Sequence, residues 1–429
     1  MIKNIKNLLF ILSISILFVA CSKKEQVLTP TIFEEKTDNI IELSKFANDS
    51  SFNQELSTKE FFSRYFKPWR QDKVSYKKDE AMWGVSYKNR KVYLENHRLA
   101  SKEWFHEQIS NANFEMYNLE IKKAITIKNV DVRVLPTKSP MFYNPILAGE
   151  GFPFDYNQNS LLKINTPIIV SHLSKDRAWA YIESNFVGGW VDINSIAFVD
   201  EEFINNFYSK EYFVSTKEKF ALYDPNFKEY IKLGTIFPKK DDKFIVANKN
   251  INQEAYISFV DIKEDYIEAM PLQFNTENRA KILKELINEP YGWGGLLNNR
   301  DCSSFTQDYF LVFGKYLNRN SKAQTVNGKY LDMSNLTLDE KKEFIKQNGV
   351  PFSTLVYLKG HIMLYLGVEN DEPLVAHNIW SVRLKDKDNK EFRHIIGKTV
   401  ITTLEVGKEL DGFHEDSNIL KRVLGITIL

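Results

Sequence analysis

The hydrophobic period changes twice along these 429 residues, and one regular architecture cannot satisfy both changes. Between 40 and 66, apolar side chains recur at helical spacing. Ile40, Ile41, Leu43 and Phe46 come first, then Phe61, Phe62, Tyr65 and Phe66, and Pro68-Trp69 is expected to end the run. From about 122 the period drops to two. Ala124–Ile127 and Val130–Val134 alternate as strands do, and Pro167–His172, Trp179–Ser184 and Gly188–Val191 follow between Gly and Pro turns. Short strands at this density predict a small β-barrel. A second strand-rich block, with Tyr212–Ser215, Phe220–Tyr223 and Lys243–Ala247, reads as a diverged second copy. Near Asn275 the period becomes helical again: Asn275 or Thr276 can cap a helix striped by Ile282, Leu283, Leu286 and Ile287, which Pro290 ends. A second helix starts at Cys302 and carries Phe305, Tyr309, Val312, Phe313 and Tyr316. Strand-like runs then occupy 353–358, 362–368, 373–380 and 398–404. Helices first and antiparallel strands second predict an α+β unit.

The reading is therefore α+β and multidomain. It divides into a leader over 1–21, a mostly helical N-terminal domain with its tether over 22–120, barrels over 121–199 and 200–268, and a C-terminal α+β domain over 269–429. Charge and composition exclude two classes. With 57 basic against 56 acidic residues, the chain lacks the basic footprint of a nucleic-acid binder. With 43% apolar and 14% aromatic residues it cannot be disordered on a large scale.

Lys3 and Lys6 precede an apolar run, Leu8–Ala20, that is too short to span a bilayer as a helix. Ala20-Cys21 then resembles a bacterial lipobox, with Phe18 where Leu is usual. That predicts an exported protein held on a membrane by acyl chains on Cys21. The second cysteine, Cys302, is then the sole thiol of the exported chain, with no disulfide partner. No His-Glu-x-x-His and no paired cysteines occur, so neither metal nor cofactor is expected.

The chemistry concentrates around that thiol. Pro290-Tyr291-Gly292-Trp293-Gly294-Gly295 forms a loop that lets other groups approach closely, and Arg300-Asp301-Cys302-Ser303-Ser304 follows. Cys302 stands where loop becomes helix, where the helix dipole favours thiolate and first-turn N–H groups can hold an oxyanion. A nucleophilic thiol needs a base, and the base needs something to orient it. Gly360-His361 opens a strand and supplies the candidate base; His377, on a neighbouring strand, would hold its tautomer. His172 reads as structural.

Together these features resemble the NlpC-type cell-wall cysteine peptidases, a papain-like fold with permuted topology. The likeness rests on Pro290-Tyr291, Trp293-Gly294-Gly295, Asp301-Cys302-Ser303, Gly360-His361 and His377. Upstream, Arg133–Thr137, Gly149–Tyr156, Ser171-His172 and Phe66–Trp69 resemble a multidomain subgroup with two bacterial Src-homology-3-like barrels. The resemblance implies Cys302 as nucleophile, His361 as base and His377 as orienter. It also implies Tyr291, with Trp293 beside it, at the oxyanion site, and Asp301 and Ser303 at the amino end of the substrate. Glu150, Asp155 or Tyr156 of the first barrel would add a substrate contact. The implied activity is hydrolysis of the γ-D-glutamyl–diamino acid bond of peptidoglycan stem peptides by a monomer. The alternatives are an amidase or acyltransferase using the same site, and a non-catalytic wall-binding lipoprotein.

Overall fold

The computed structural model describes residues 35, 36 and 40–429, so the leader and Cys21 lie outside the described residues. The N-terminal region contributes a helix, Gln54–Tyr65, whose first turn is capped by the Asn53 side chain accepting from Leu56 N–H. Pro68 does not end a helix, as expected from sequence. It sits at the start of a short further turn, Lys67–Arg70, where a missing N–H costs nothing. Trp69, in that turn, is buried, and its Nε1–H donates to the Ala124 carbonyl at 2.8 Å, fixing the helical region to the first strand. A second helix, Lys102–Asn111, completes this region amid irregular chain.

The first strand block holds β1 (Lys122–Thr126), β2 (Val130–Arg133), β3 (Gln158–Leu162), β4 (Pro167–Leu173), β5 (Trp179–Glu183), β6 (Gly188–Asp192) and β7 (Ile196–Phe198). They form one antiparallel sheet in the order β3-β2-β6-β5-β4-β1-β7, curled around Val132, Leu162, Ile168, Val170, Ile182 and Val191. The long β2–β3 connection carries Gly149–Tyr156. His172 is fully buried between the Ser171 hydroxyl and the Ala112 carbonyl, each at 3.0 Å, which is a structural role.

A helix, Glu201–Phe207, leads into the second block. It holds β8 (Glu211–Ser215), β9 (Phe220–Asp224), β10 (Asn226–Ile231), β11 (Ile236–Lys240), β12 (Lys243–Lys249), β13 (Ala255–Val260) and β14 (Ile267–Ala269). Five strands pair in the order β13-β12-β11-β8-β14, while β9 and β10 form a separate ribbon; both enclose Leu222, Ile231, Phe237 and Val246.

The C-terminal unit begins with the helix Thr276–Leu286, capped by the Asn275 side chain accepting from Asn278 N–H. The helix Cys302–Leu311 follows; Phe305, Tyr309 and Phe310 on it are fully buried. It packs on a six-stranded antiparallel sheet of order β15-β20-β16-β17-β18-β19. Its strands are β15 (Lys329–Asp332), β16 (Thr354–Leu358), β17 (His361–Glu369), β18 (Glu372–Lys385), β19 (Glu391–Thr403) and β20 (Val423–Ile428). The Cys302 helix is shorter than its apolar pattern suggested, because Gly314, at φ +79°, turns the chain just beyond Leu311.

All three units meet on a buried ionic junction. Arg300 donates to Asp308 and to Glu218, both at 2.7 Å. Lys163 of the first strand block reaches Asp308 at 2.5 Å, and Lys232 of the second reaches Glu218 at 3.2 Å. Burial alone would raise the Glu218 carboxyl; Arg300 and then Lys232 outweigh it and hold it well below its usual range.

Candidate active site

Cys302 occupies the first position of its helix because Asp301 caps it. The Asp301 carboxylate accepts from Ser304 N–H at 2.8 Å, and the Ser304 hydroxyl accepts from Asp301 N–H at 2.9 Å, a reciprocal capping box. The loop before it holds positive φ at Gly294 (61°) and Gly295 (94°). What approaches these glycines is strand β3: a Cβ at Gly294 would lie 2.5 Å from the Gln158 carbonyl oxygen, and one at Gly295 2.4 Å from Leu161 Cβ. The glycines thus seat the first barrel against the nucleophile's loop. Gln158 Nε2–H also donates to the Gly294 carbonyl at 3.2 Å.

The antiparallel register of β17 with β18 brings His361 and His377 together. His361 Nε2 and His377 Nδ1 are 2.8 Å apart, and His377 Nε2 is 3.1 Å from the Thr402 hydroxyl on β19. That hydroxyl donates to the Thr403 carbonyl at 2.7 Å, so toward His377 it accepts. His377 therefore carries its proton on Nε2 and accepts on Nδ1. His361 in turn is protonated on Nε2, which leaves its Nδ1 as a base. Thr402, which sequence reasoning missed, sets the tautomer of both rings. The signal was weak, one threonine in a threonine-rich strand.

Cys302, His361 and Tyr291 line one cleft of about 470 Å³. The N-terminal region supplies Glu80 and Trp83 to it, the first barrel Tyr156, Gln158 and Asn159, and the C-terminal unit Trp293, Asp301, Ser303, Arg319, Asn378 and Trp380. The aromatic wall is continuous: Phe154 meets Trp293 at 5.4 Å and Trp380 at 6.4 Å, and Tyr156 meets Trp293 at 5.6 Å. Asn378 is fully buried, and both its side-chain atoms lack a partner among the described residues.

Electrostatics correct one expectation. Burial, then the Asp301 charge, pushes the Cys302 thiol up to about 12, against the opposing pull of the Ile362 N–H, Arg319 and the Ser303 N–H. Burial outweighs the helix terminus, so the empty cleft holds a neutral thiol rather than a thiolate. Burial, then the Arg422 charge, lowers His361 to about 4, and burial also holds His377 well below its ordinary value. Nucleophile and base are thus a neutral pair, and the thiol proton moves as the thiol attacks. The Tyr291 phenol is pushed well up by burial, then by Cys302 and Asp301, so it stays a hydrogen-bond donor.

The remaining expectations divide. Ser303 lies in the cleft, but its hydroxyl donates to Asp301 at 3.1 Å. Asp301 lines the cleft with an engaged carboxylate. It accepts from Arg319 at 2.8 Å and Gly294 N–H at 3.1 Å besides its capping bond, and Arg319 outweighs burial to hold it below its ordinary range. Arg319 has no motif around it and was not foreseen. Asp155 is a correction. It is 2% exposed, pairs with Arg133 at 2.8 Å and accepts from Met141 N–H at 2.9 Å and Asn157 N–H at 2.8 Å. Those bonds tie the β2–β3 loop to its own barrel, so Asp155 has no face toward the cleft. Glu150 is a second correction: it lies outside the cleft lining and meets the Tyr156 hydroxyl at 3.4 Å. Tyr156 does line the cleft.

Comparison with known proteins agrees with this architecture. The NlpC/P60 family model matches residues 288–396, the N-terminal NLPC_P60 stabilising domain matches 10–117, and an SH3 domain of the SH3b1 type matches 140–192. No curated protein matches the sequence. A solved NlpC/P60 endopeptidase from Photobacterium damselae subsp. piscicida is 27% identical, with a TM-score of 0.84 covering 93% of this chain and 98% of that one. An NlpC/P60 family protein from Bacillus cereus ATCC 10987 is 14% identical, with a TM-score of 0.45 covering 71% of this chain and 98% of its own. That second fit is too loose to bear on how the domains are arranged.

Proposed function

From a chain that is a multidomain NlpC/P60 cysteine peptidase, we propose an exported lipoprotein that hydrolyses the γ-D-glutamyl–diamino acid bond of peptidoglycan stem peptides. The observation that carries this reading is the chain of bonds from Thr402 through His377 to His361, in one cleft with a thiol at a helix start. Cys302 Sγ attacks the scissile carbonyl as its proton passes to His361 Nδ1. The oxyanion forms beside the Cys302 N–H and the Tyr291 hydroxyl, donors that need no rearrangement. His361 then gives its proton to the leaving amine, and the acyl half stays as a thioester on Cys302. Water, deprotonated by His361, releases it. His377 holds the His361 ring and its tautomer throughout.

Among the described residues the cleft presents two carboxylates, Glu80 and the engaged Asp301. They favour an acyl half whose amino end is free. The anchor on Cys21 would hold the enzyme on the exported face of a membrane, where released stem fragments pass.

The test is mass spectrometry of products from residues 22–429 with defined stem peptides, with and without a free amino-terminal L-Ala. The expected result is cleavage after γ-D-glutamate, dependent on the free amine and absent in Cys302→Ala. Cleavage of another amide would reassign the protein as an amidase. No cleavage, with Cys302 inert to substrate, would make it a wall-binding protein.

A further inference from the structure

On the far side of His361 from Cys302 lies a second pocket, of about 250 Å³, that shares Gly360, His361, Ile379 and Trp380 with the catalytic cleft. Its lining has one electrostatic sign. Lys359, Arg383, Arg393 and Arg422 face it, and no carboxylate does. One acid, Glu391, serves two of these arginines from outside, at 2.9 Å from Arg393 and 3.7 Å from Arg383. Arg422 has no carboxylate within ion-pair distance among the described residues. Arg383 Nη2 donates to the Asp416 carbonyl at 2.7 Å and Arg393 Nη2 to the Ala148 carbonyl at 3.4 Å, which fixes both side chains in place. The Nε–H groups of Arg383 and Arg393 are buried without a partner. Guanidinium groups crowded together with too few anions are costly unless something negative arrives.

The chemistry orients the substrate across these two pockets. His361 must reach the leaving amine, so the leaving half passes His361 and enters the arginine pocket. The acyl half stays with Cys302, Tyr291 and Trp293. We propose that this pocket is the leaving-group subsite, and that Arg383, Arg393 and Arg422 select a leaving half bearing a free carboxylate. This rests on the peptidase reading above and adds the substrate class to it. A diamino acid with a free side-chain carboxylate, or a short stem ending in one, fits. A lysine-type or amidated leaving half leaves the guanidiniums unanswered. The carboxylate oxygens accept charge-assisted N–H bonds, for which arginine's planar fork is suited.

The first barrel closes the pocket on one side. Gly149 lines it, and a Cβ there would lie 2.6 Å from Arg393 Nη2. The loop that holds Gly149 therefore sets how far Arg393 can move, and with it the size of the leaving half admitted.

The experiment compares kcat/KM for two stem peptides that differ only in the leaving half, free carboxylate against carboxamide. The wild-type protein should prefer the free carboxylate by about ten- to a hundredfold, the range of one or two charge-assisted bonds. Arg393→Gln and Arg422→Gln should each shrink that preference, chiefly through KM. Equal rates on both substrates, or a preference unchanged in both variants, would overturn the proposal. If neither substrate is cut, the peptidase reading falls, and the pocket is judged by binding. Calorimetry with Cys302→Ala would then compare the free leaving-half dipeptide with its diamide: tighter binding of the acid supports the subsite, and equal binding overturns it.

Discussion

Arg300 and Cys302 stand two residues apart and belong to neighbourhoods built by opposite rules. Both are buried, and both collect residues from the barrels and the C-terminal unit. At Arg300 the charges are paired: Lys163, Asp308, Arg300, Glu218 and Lys232 form an unbroken run of ion pairs. At Cys302 the reactive groups are neutral, linked one to the next through Thr402, His377 and His361, and the chain ends on an open ring nitrogen. The first neighbourhood spends its polar capacity on holding domains together. The second keeps one atom free, and that atom can take a proton. Burial has opposite results in the two. Where opposite charges sit within reach it yields ion pairs, and where they do not it keeps Cys302, His361 and His377 uncharged.

The largest expected effect falls on the open end. Cys302→Ala should lower kcat/KM by at least about ten-thousandfold, since no other nucleophile lines the cleft with a base beside it, while leaving the unfolding midpoint nearly unchanged. Steady-state assays with urea melts check both halves. Arg300→Met should do the reverse. It leaves Glu218 and Asp308 buried with too few partners, costing about 3–5 kcal/mol in urea unfolding, with per-molecule activity kept in the folded fraction. A loss under 1 kcal/mol would break the contrast. His377→Ala should cost about a hundredfold in kcat by freeing the His361 ring, and Thr402→Val about tenfold by releasing the tautomer. Equal losses at both positions would mean the chain does not act through Thr402.

The pH profile sharpens the contrast with the smallest effect. His361 is lowered to about 4, so it stays a competent base well below the ordinary imidazole value, and the acid limb of kcat/KM belongs below pH 6.5. Arg422→Gln removes a charge that helps lower it and should move that limb upward. The same shift makes the fold lose stability as pH falls from about 6.5 toward 4, because the unfolded chain then binds the proton that the folded one excludes. At the junction, the depressed Glu218 and Asp308 give stability that is present above the ordinary carboxylate range and lost as pH drops through it.

Sequence made the local devices legible and left the long-range ones hidden. Asp301 before Cys302, the glycines at 294 and 295, and His361 behind Gly360 are all fixed by neighbours a few residues away. The helix cap, the close approach and the strand start could therefore be read directly. Arg319, Thr402 and Asn378 act only because strand order and the return of the chain bring them to the cleft. Asp155 shows the converse error. It stands next to Tyr156, which does line the cleft, but the pairing of β2 with β3 puts Arg133 beside it, and the carboxylate turns inward. The expected thiolate failed for a similar reason: the helix start was visible in the sequence, while the domains that bury it were not.

The most direct measurement is the intact mass of the protein, acid-quenched during turnover of a stem peptide and then digested to locate any adduct. The account predicts a mass increase equal to the acyl half, on the peptide that contains Cys302, absent in Cys302→Ala and accumulating in His361→Ala only at a much reduced rate. An adduct on any other residue, or full turnover by Cys302→Ala, would contradict it.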